Sequence, residues 1–239
     1  MDKKLSVLFL LVCFIIVLLS GCIYPETEKV QDQTPYEVQV QTVQAAINQF
    51  QKDNDGILPI KNSVETTPKY QKYVIDFKRI VPEYMAEPPS NAFESGGVFQ
   101  YVIVFYEDVP IVKVFDLRIA EKLSELKLRV NVQGYPPFKE KIVNDVYTLD
   151  YKKLGYAEEP FVVSPFTNRN LSFVINGNAE IFVDYRIDLY EALKKQMRNK
   201  YQKGEDIRDL LLKDSLFVPV YSLPYTFDEN TNEPVFLEK

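Results

Sequence analysis

Cys22 is the one residue in this 239-residue chain whose neighbours favour a covalent modification, because Leu19, Ser20 and Gly21 lead into it as a small-residue cleavage site does. Asp76 and Asp150 are a second candidate set. They stand at matching places in two similar segments, and paired carboxylates can carry out glycoside hydrolysis. Aspartate also caps backbone N–H groups at turns, with Lys78 and Lys152 as solvated partners, and that is the role expected here. A third set is cationic. Lys194, Lys195, Arg198, Lys200 and Lys203 fall within ten residues, with Lys194 and Arg198 one helical turn apart. Lys194, Lys195 and Arg198 are the candidates for contact with an anionic polymer or phospholipid, although such a run also reads as a solvated face.

Other chemistry is excluded by residue type. The chain has no histidine and two cysteines, Cys13 and Cys22. A Ser-His-Asp triad and a Cys-His pair are therefore impossible, and a zinc site would need carboxylates alone. Only Asp, Glu, Lys and Tyr remain as proton-transfer groups. The expectation is that the protein is not an enzyme and uses no metal or cofactor.

The N-terminus explains the setting of Cys22. Asp2-Lys3-Lys4 forms a charged start, and Leu5 to Leu19 is apolar apart from Ser6. With Leu19-Ser20-Gly21-Cys22 this resembles the lipobox of bacterial lipoproteins, which implies a signal peptide over residues 1–21 and a diacylglyceryl thioether on Cys22. A secretory peptide cut without lipidation, or an uncleaved anchor from about Leu5 to Ile23, are the alternatives. Residues 22–33 are polar and acidic (Glu26, Glu28, Asp32) and read as a tether. The eleven residues from Ile23 to Gln33 span roughly 18 Å as a coil and about 40 Å when extended, so the domain from residue 34 to 239 would stay near a bilayer.

Removing the signal takes two lysines and one aspartate from 28 basic and 34 acidic residues, leaving 26 against 33 and a formal charge of −7. Such a surface does not attract nucleic acid or anionic headgroups in bulk. Membrane contact is thus expected through the N-terminal lipid alone, on the extracytoplasmic face.

Thr34-Pro35-Tyr36-Glu37 is a capping box, followed by Val40, Val43, Ile47 and Phe50 on one helical face. Asp53-Asn54-Asp55-Gly56 ends that helix. It does not form a calcium loop, because Asn62 falls where the closing carboxylate should be. A repeat then organises the chain. Gly56-Ile57-Leu58-Pro59-Ile60-Lys61 recurs as Gly134-Tyr135-Pro136-Pro137-Phe138-Lys139. Tyr73 to Ile80 recurs as Tyr147 to Leu154, and Asp116-Leu117-Arg118 as Asp184-Tyr185-Arg186. The predicted fold is α+β, a tandem pseudo-repeat of helix, proline-rich traverse and antiparallel β-hairpin packed as one body. Repeat 1 covers about 34–116, repeat 2 about 117–185, and a C-terminal helix and strands 186–239.

Within it, strands are predicted over Phe99–Tyr106 and Ile111–Phe115, then over Leu171–Ile175 and Ala179–Tyr185 around Asn176-Gly177. Helices are predicted from Leu117 to about Val130, capped by Asp116, and from about Ile187 to Gln202. Phe217–Tyr221 reads as a further strand, and Pro224–Phe227 with Val235–Leu237 as a last hairpin.

The helix, the Asp53 or Asn54 to Pro59 segment, and the Pro88-Pro89-Ser90-Asn91-Ala92-Phe93 loop resemble the globular part of type II pseudopilins, which implies the same α+β hairpin fold. The lipobox takes the place of their assembly helix. Over nearly its full length the chain is similar to the YphF type of uncharacterised lipoprotein of spore-forming Gram-positive bacteria. That similarity rests on Cys22-Ile23-Tyr24-Pro25, Phe50-Gln51-Lys52-Asp53, Tyr70-Gln71-Lys72-Tyr73 and Leu117 to Lys122. It implies no established activity. The functional expectation is a lipid-anchored module that binds an envelope protein or the cell wall. The alternative is a solute-binding lipoprotein of an ABC transporter, although alternating strands and helices and a glycine-rich anion loop are lacking.

Overall fold

The stripe Val40, Val43, Ile47 and Phe50 is buried along one side of α1 (Tyr36–Asp53) in a computed structural model of the chain. Residues 36–143, 145–195, 201–231 and 233–237 are described. The expected signal, the tether, Cys22 and the Thr34-Pro35 cap lie outside them. Helix α1 stops as its residues dictate: Asn54 Nδ2 donates to Phe50 O (2.8 Å), Gly56 N donates to Gln51 O (2.9 Å), and Gly56 takes φ 84°.

The helix covers a hairpin, β1 (Phe99–Tyr106) and β2 (Val109–Asp116), paired in register along their whole length. Side chains on a strand alternate between faces. Phe99, Tyr101 and Ile103 join α1, Ile75, Phe77 and Ile80 in one apolar cluster, whereas Val102 and Val104 join a second, larger cluster behind the hairpin. At the turn into β1, a Cβ on Gly97 would lie 2.1 Å from the Asn91 carbonyl carbon and oxygen, so only glycine fits.

The second cluster is built by α2 (Leu117–Gln133), which buries Ile119, Leu123, Leu126 and Val130. A four-stranded antiparallel sheet faces it, in the order β3 (Phe138–Val143), β4 (Val146–Leu149), β7 (Phe173–Asn176), β8 (Ile181–Val183). A short pair, β5 (Val162–Val163) and β6 (Asn170–Leu171), stands beside it. Helix α3 (Arg186–Lys195), a 3₁₀ turn (Ile207–Leu211) and the hairpin β9 (Tyr225–Phe227) with β10 (Pro234–Phe236) complete the fold.

The similar segments carry matching backbone contacts. Asp76 N donates to Pro59 O at 2.8 Å, and Asp150 N to Pro137 O at 2.7 Å. Ile60 bridges Ile75 where Phe138 pairs with Leu149, and Val74 bridges Val102 where Thr148 pairs with Val174. What is a set of isolated bridges around β1 becomes, in the second segment, strands of one four-stranded sheet, with register shifts between β3 and β4.

Two predicted elements change. Tyr201 and Gln202 are not helical; α3 is described over Arg186–Lys195, and residues 196–200 lie outside the description. Phe217–Tyr221 is not a strand. Val114 N donates to Leu216 O and Val218 N to Val114 O, one parallel bridge along β2, and Val220 N, the next donor on that side, turns back to Val218 O (2.9 Å). The strands β3 and β4 were not predicted either, since Pro136-Pro137 and the exposed Lys139 to Lys141 hide their pattern.

One local device recurs three times. Asp116, Asp184 and Asp206 each accept the backbone N–H two residues on, and their carboxylates also take the guanidinium of that residue, Arg118, Arg186 or Arg208. Each caps the helix that follows it. The pairs differ in burial: the arginine side chains are 66%, 37% and 10% exposed in chain order. Arg208 also donates to Ser222 O and Oγ and stacks on Tyr70. Burial works to raise the Asp206 carboxyl, but the hydrogen bonds from Arg208 outweigh it and hold it below its ordinary range. That pair stabilises the fold above the ordinary carboxyl range and loses its contribution as pH falls through the lowered value.

Removing one partner of a buried pair strands the other. Arg208→Met is therefore expected to cost about 3 kcal/mol or more, and Arg118→Met less than about 1 kcal/mol, with Arg186→Met between them, in urea denaturation at pH 7. An equal loss at all three would show that burial does not set their worth. Because β1 feeds both clusters, the fragment from residue 34 to 239 is also expected to melt in one transition.

Candidate functional site

The larger cavity is an open groove of about 530 Å³, within the range that binding sites occupy. Its aromatic floor comes from three separate segments: Tyr36 at the start of α1 packs edge-on against Phe99 (5.1 Å between ring centres), and Phe99 against Phe217 (5.5 Å). One wall is the start of α2, with Ile119, Arg118 and Lys122. The other is β5 and its loop, Phe161 to Pro165 and Asn168. Phe161 and Val163 are half exposed, 50% and 53%, and Tyr36 is 44% exposed, so apolar surface is open to solvent here.

Charge lies on one side only. Arg118 uses Nε and Nη2 on Asp116 (2.9 and 2.5 Å), which leaves Nη1 without a partner among the described residues. Lys122 Nζ pairs with Glu125 at 2.7 Å and sits 5.9 Å from the centre of the Tyr156 ring.

The β5 wall is held from behind by a buried carboxylate. Asp188 is 1% exposed on α3, and its Oδ1 accepts from Ser164 Oγ (2.7 Å) and Thr167 Oγ1 (2.5 Å). Ser164 Oγ in turn accepts from the N–H groups of Phe166 and Thr167, which shapes the loop after β5. Burial raises the Asp188 carboxyl above its ordinary value, more than the two hydroxyl hydrogen bonds lower it. Asp188 also borders a smaller cavity of about 140 Å³, with Asp214, Ser215 and Lys195 at its edge. Nearby, the buried Lys113 on β2 donates to Leu212 O (2.8 Å) and Ser215 O, tying that loop to the hairpin. Burial lowers its ammonium, and Asp214 opposes the shift.

The residues singled out by type are placed elsewhere. Asp76 Oδ1 accepts from Lys78 N (3.2 Å) and caps the 3₁₀ turn Phe77–Arg79, while Asp150 pairs with Lys153 at 3.3 Å. Neither borders either cavity. Lys194 is engaged by its own helix, 4.0 Å from Glu191 and 4.1 Å from the centre of the Tyr190 ring. Lys195 borders the small cavity, and Arg198, like Cys22, lies outside the described residues. The groove residues were not identified from the sequence. Phe161-Val162-Val163 after Pro160 was the available signal, an apolar run whose alternate members have no partner strand on one side.

No group of three or more carboxylates placed to hold a metal occurs among the described residues, and no helix among them is long and apolar enough to cross a membrane. Helix α1, the traverse and the β1–β2 hairpin together coincide with a known domain. Residues 36–116 match the YphF family N-terminal domain. The match ends at Asp116, the cap of α2, so the matched segment contributes Tyr36, Phe99 and Asp116 to the groove, and the remaining residues supply its other wall. No curated protein and no solved structure matches the chain.

The raised Asp188 carboxyl has a direct consequence. A proton binds it more tightly in the folded state, so folding gains from protonation below the ordinary carboxyl range and loses that gain as pH rises through the raised value. Asp188→Asn does not titrate there. Chemical denaturation between pH 4 and 8 should show the wild type gaining stability relative to Asp188→Asn as pH falls. A difference independent of pH would remove burial as the governing effect.

Proposed function

We propose that this protein is a lipid-anchored member of the YphF-type lipoproteins of spore-forming Gram-positive bacteria, held on the extracytoplasmic face of the cell membrane through Cys22. There it binds another envelope component, most simply a protein, through the groove between the YphF domain and the rest of the chain. The observation that carries this reading is the half-exposed apolar surface of Tyr36, Phe161 and Val163 around an aromatic floor. Binding is favoured over catalysis because the groove contains a single carboxylate, Asp116, which is already committed to Arg118. Solute capture for a transporter is the weaker reading, since the groove is open along one side and offers few convergent polar groups.

Two measurements test it. Cys22→Ala is expected to release or mislocalise a folded domain, read by membrane fractionation and circular dichroism, and wild-type amounts left in the membrane would point to an uncleaved apolar anchor. Phe161→Asp with Val163→Asp places charges in the groove at exposed positions, so folding should survive while complementation of a deletion strain is lost. Asp76→Asn and Asp150→Asn should complement normally. Full activity of the groove variant would place the function elsewhere.

A further inference from the structure

Resting on the groove as the binding surface, we infer that its occupant is an extended peptide segment that adds as a strand to β5, with an acidic residue meeting Arg118 and Lys122. The first observation is main-chain geometry. Val162 pairs with Leu171, and Val163 with Asn170, while Ser164 N donates to Arg169 O at 2.8 Å. In an antiparallel ladder the hydrogen-bonded and non-bonded positions alternate. With Ser164 bonded and Val162 bonded, Val163 occupies the non-bonded position, so its N–H and C=O point away from β6. Those groups lie on the edge of a two-stranded sheet that has no third strand among the described residues.

An open edge is a template for another chain, and folded proteins commonly protect it with charge, proline or a covering element. Here the edge forms a groove wall, and the side chains beside it, Phe161 and Val163, are apolar and half exposed. The second observation is the opposite wall. Arg118 has Nη1 free among the described residues, and Lys122, on the following turn of α2, borders the groove while paired with Glu125, in a chain whose overall charge is negative. An added strand would run with its main chain on β5, alternate side chains over Phe99 and Phe217, and a carboxylate toward the α2 start. Strand addition of this type takes affinity from main-chain hydrogen bonds and selectivity from alternate side-chain sites. The rigidity it needs is present, because Ser164 and Thr167 fix β5 to Asp188.

The test uses the full-length protein in detergent and a fluorescein-labelled octapeptide that alternates valine and threonine around one glutamate, read by fluorescence anisotropy. Saturable binding is expected, weakened about fivefold when alternate peptide amides are N-methylated, because the main-chain hydrogen bond to the Val163 C=O is lost. Replacing the peptide glutamate by glutamine, or Arg118→Gln with Lys122→Gln in the protein, should weaken binding and flatten its salt dependence. Phe161→Asp should abolish it. Equal binding by the N-methylated peptide would overturn strand addition. So would phosphatidylglycerol vesicles binding in a Phe161-dependent way with no peptide binding, or concentration-dependent self-association lost in Phe161→Asp. If no peptide binds but the Phe161 and Val163 variants still fail in cells, the groove keeps its function and only this occupant is wrong. If those variants work in cells, the broader reading fails first.

Discussion

Covering both faces of the β1–β2 hairpin is the constraint on which the other elements depend. A sheet with one buried face can leave the other wet, but β1 is apolar at nearly every position from Phe99 to Val104. Both faces therefore need cover. Helix α1 and the segment around Ile75 to Ile80 supply one side, and α2 with the second sheet supplies the other. Lys113 is the exception within β2, and its ammonium is accommodated by the carbonyls of Leu212 and Ser215. That arrangement draws the C-terminal segment against the hairpin and brings Phe217 to Phe99, which completes the groove floor. Packing both faces of one hairpin thus brings distant parts of the chain to the site.

Polar chemistry in this molecule serves mainly to hold backbone. Three Asp-x-Arg forks cap the elements after β2, after β8 and at residue 206, and Asp76 and Asp150 cap shorter turns. Asp188 does the same for the loop after β5 at the cost of a raised carboxyl, since burial disfavours its charge. The carboxylates that look available for catalysis are used in this way one after another. Along the groove, the exposed surface is mainly apolar side chains and strand edge.

The groove is also where the two parts of the chain meet. The segment that matches the YphF N-terminal domain provides its floor through Tyr36 and Phe99, and the segment that follows provides the β5 wall and the cationic side. Neither half contains the site by itself. Residues 36–116 alone contain Tyr36 and Phe99 but not Phe161, Val163 or Lys122.

Sequence alone determined the helices and hairpins whose signals are local. The spacing of Val40, Val43, Ile47 and Phe50, the Asp116 cap, the Gly56 and Gly134 stops and the Asn-Gly turn at Asn176 each depend on neighbours a few residues away. The α+β class and the matching segments follow from the same signals. A third Asp-x-Arg, at Asp206 to Arg208, is a local signal of the same kind. Tertiary structure alone decided whether an apolar run became a strand, a bridge or a groove wall. Phe217 to Tyr221 has strand-like residues, but Val220 N turns back to Val218 O and the pairing stays at one bridge. Lys139 to Lys141 is polar yet pairs with β4, because the adjacent sheet offers an edge. The groove combines residues 36, 99, 118, 161 and 217, and no local pattern records that proximity, which arises only when both faces of the hairpin are covered at once.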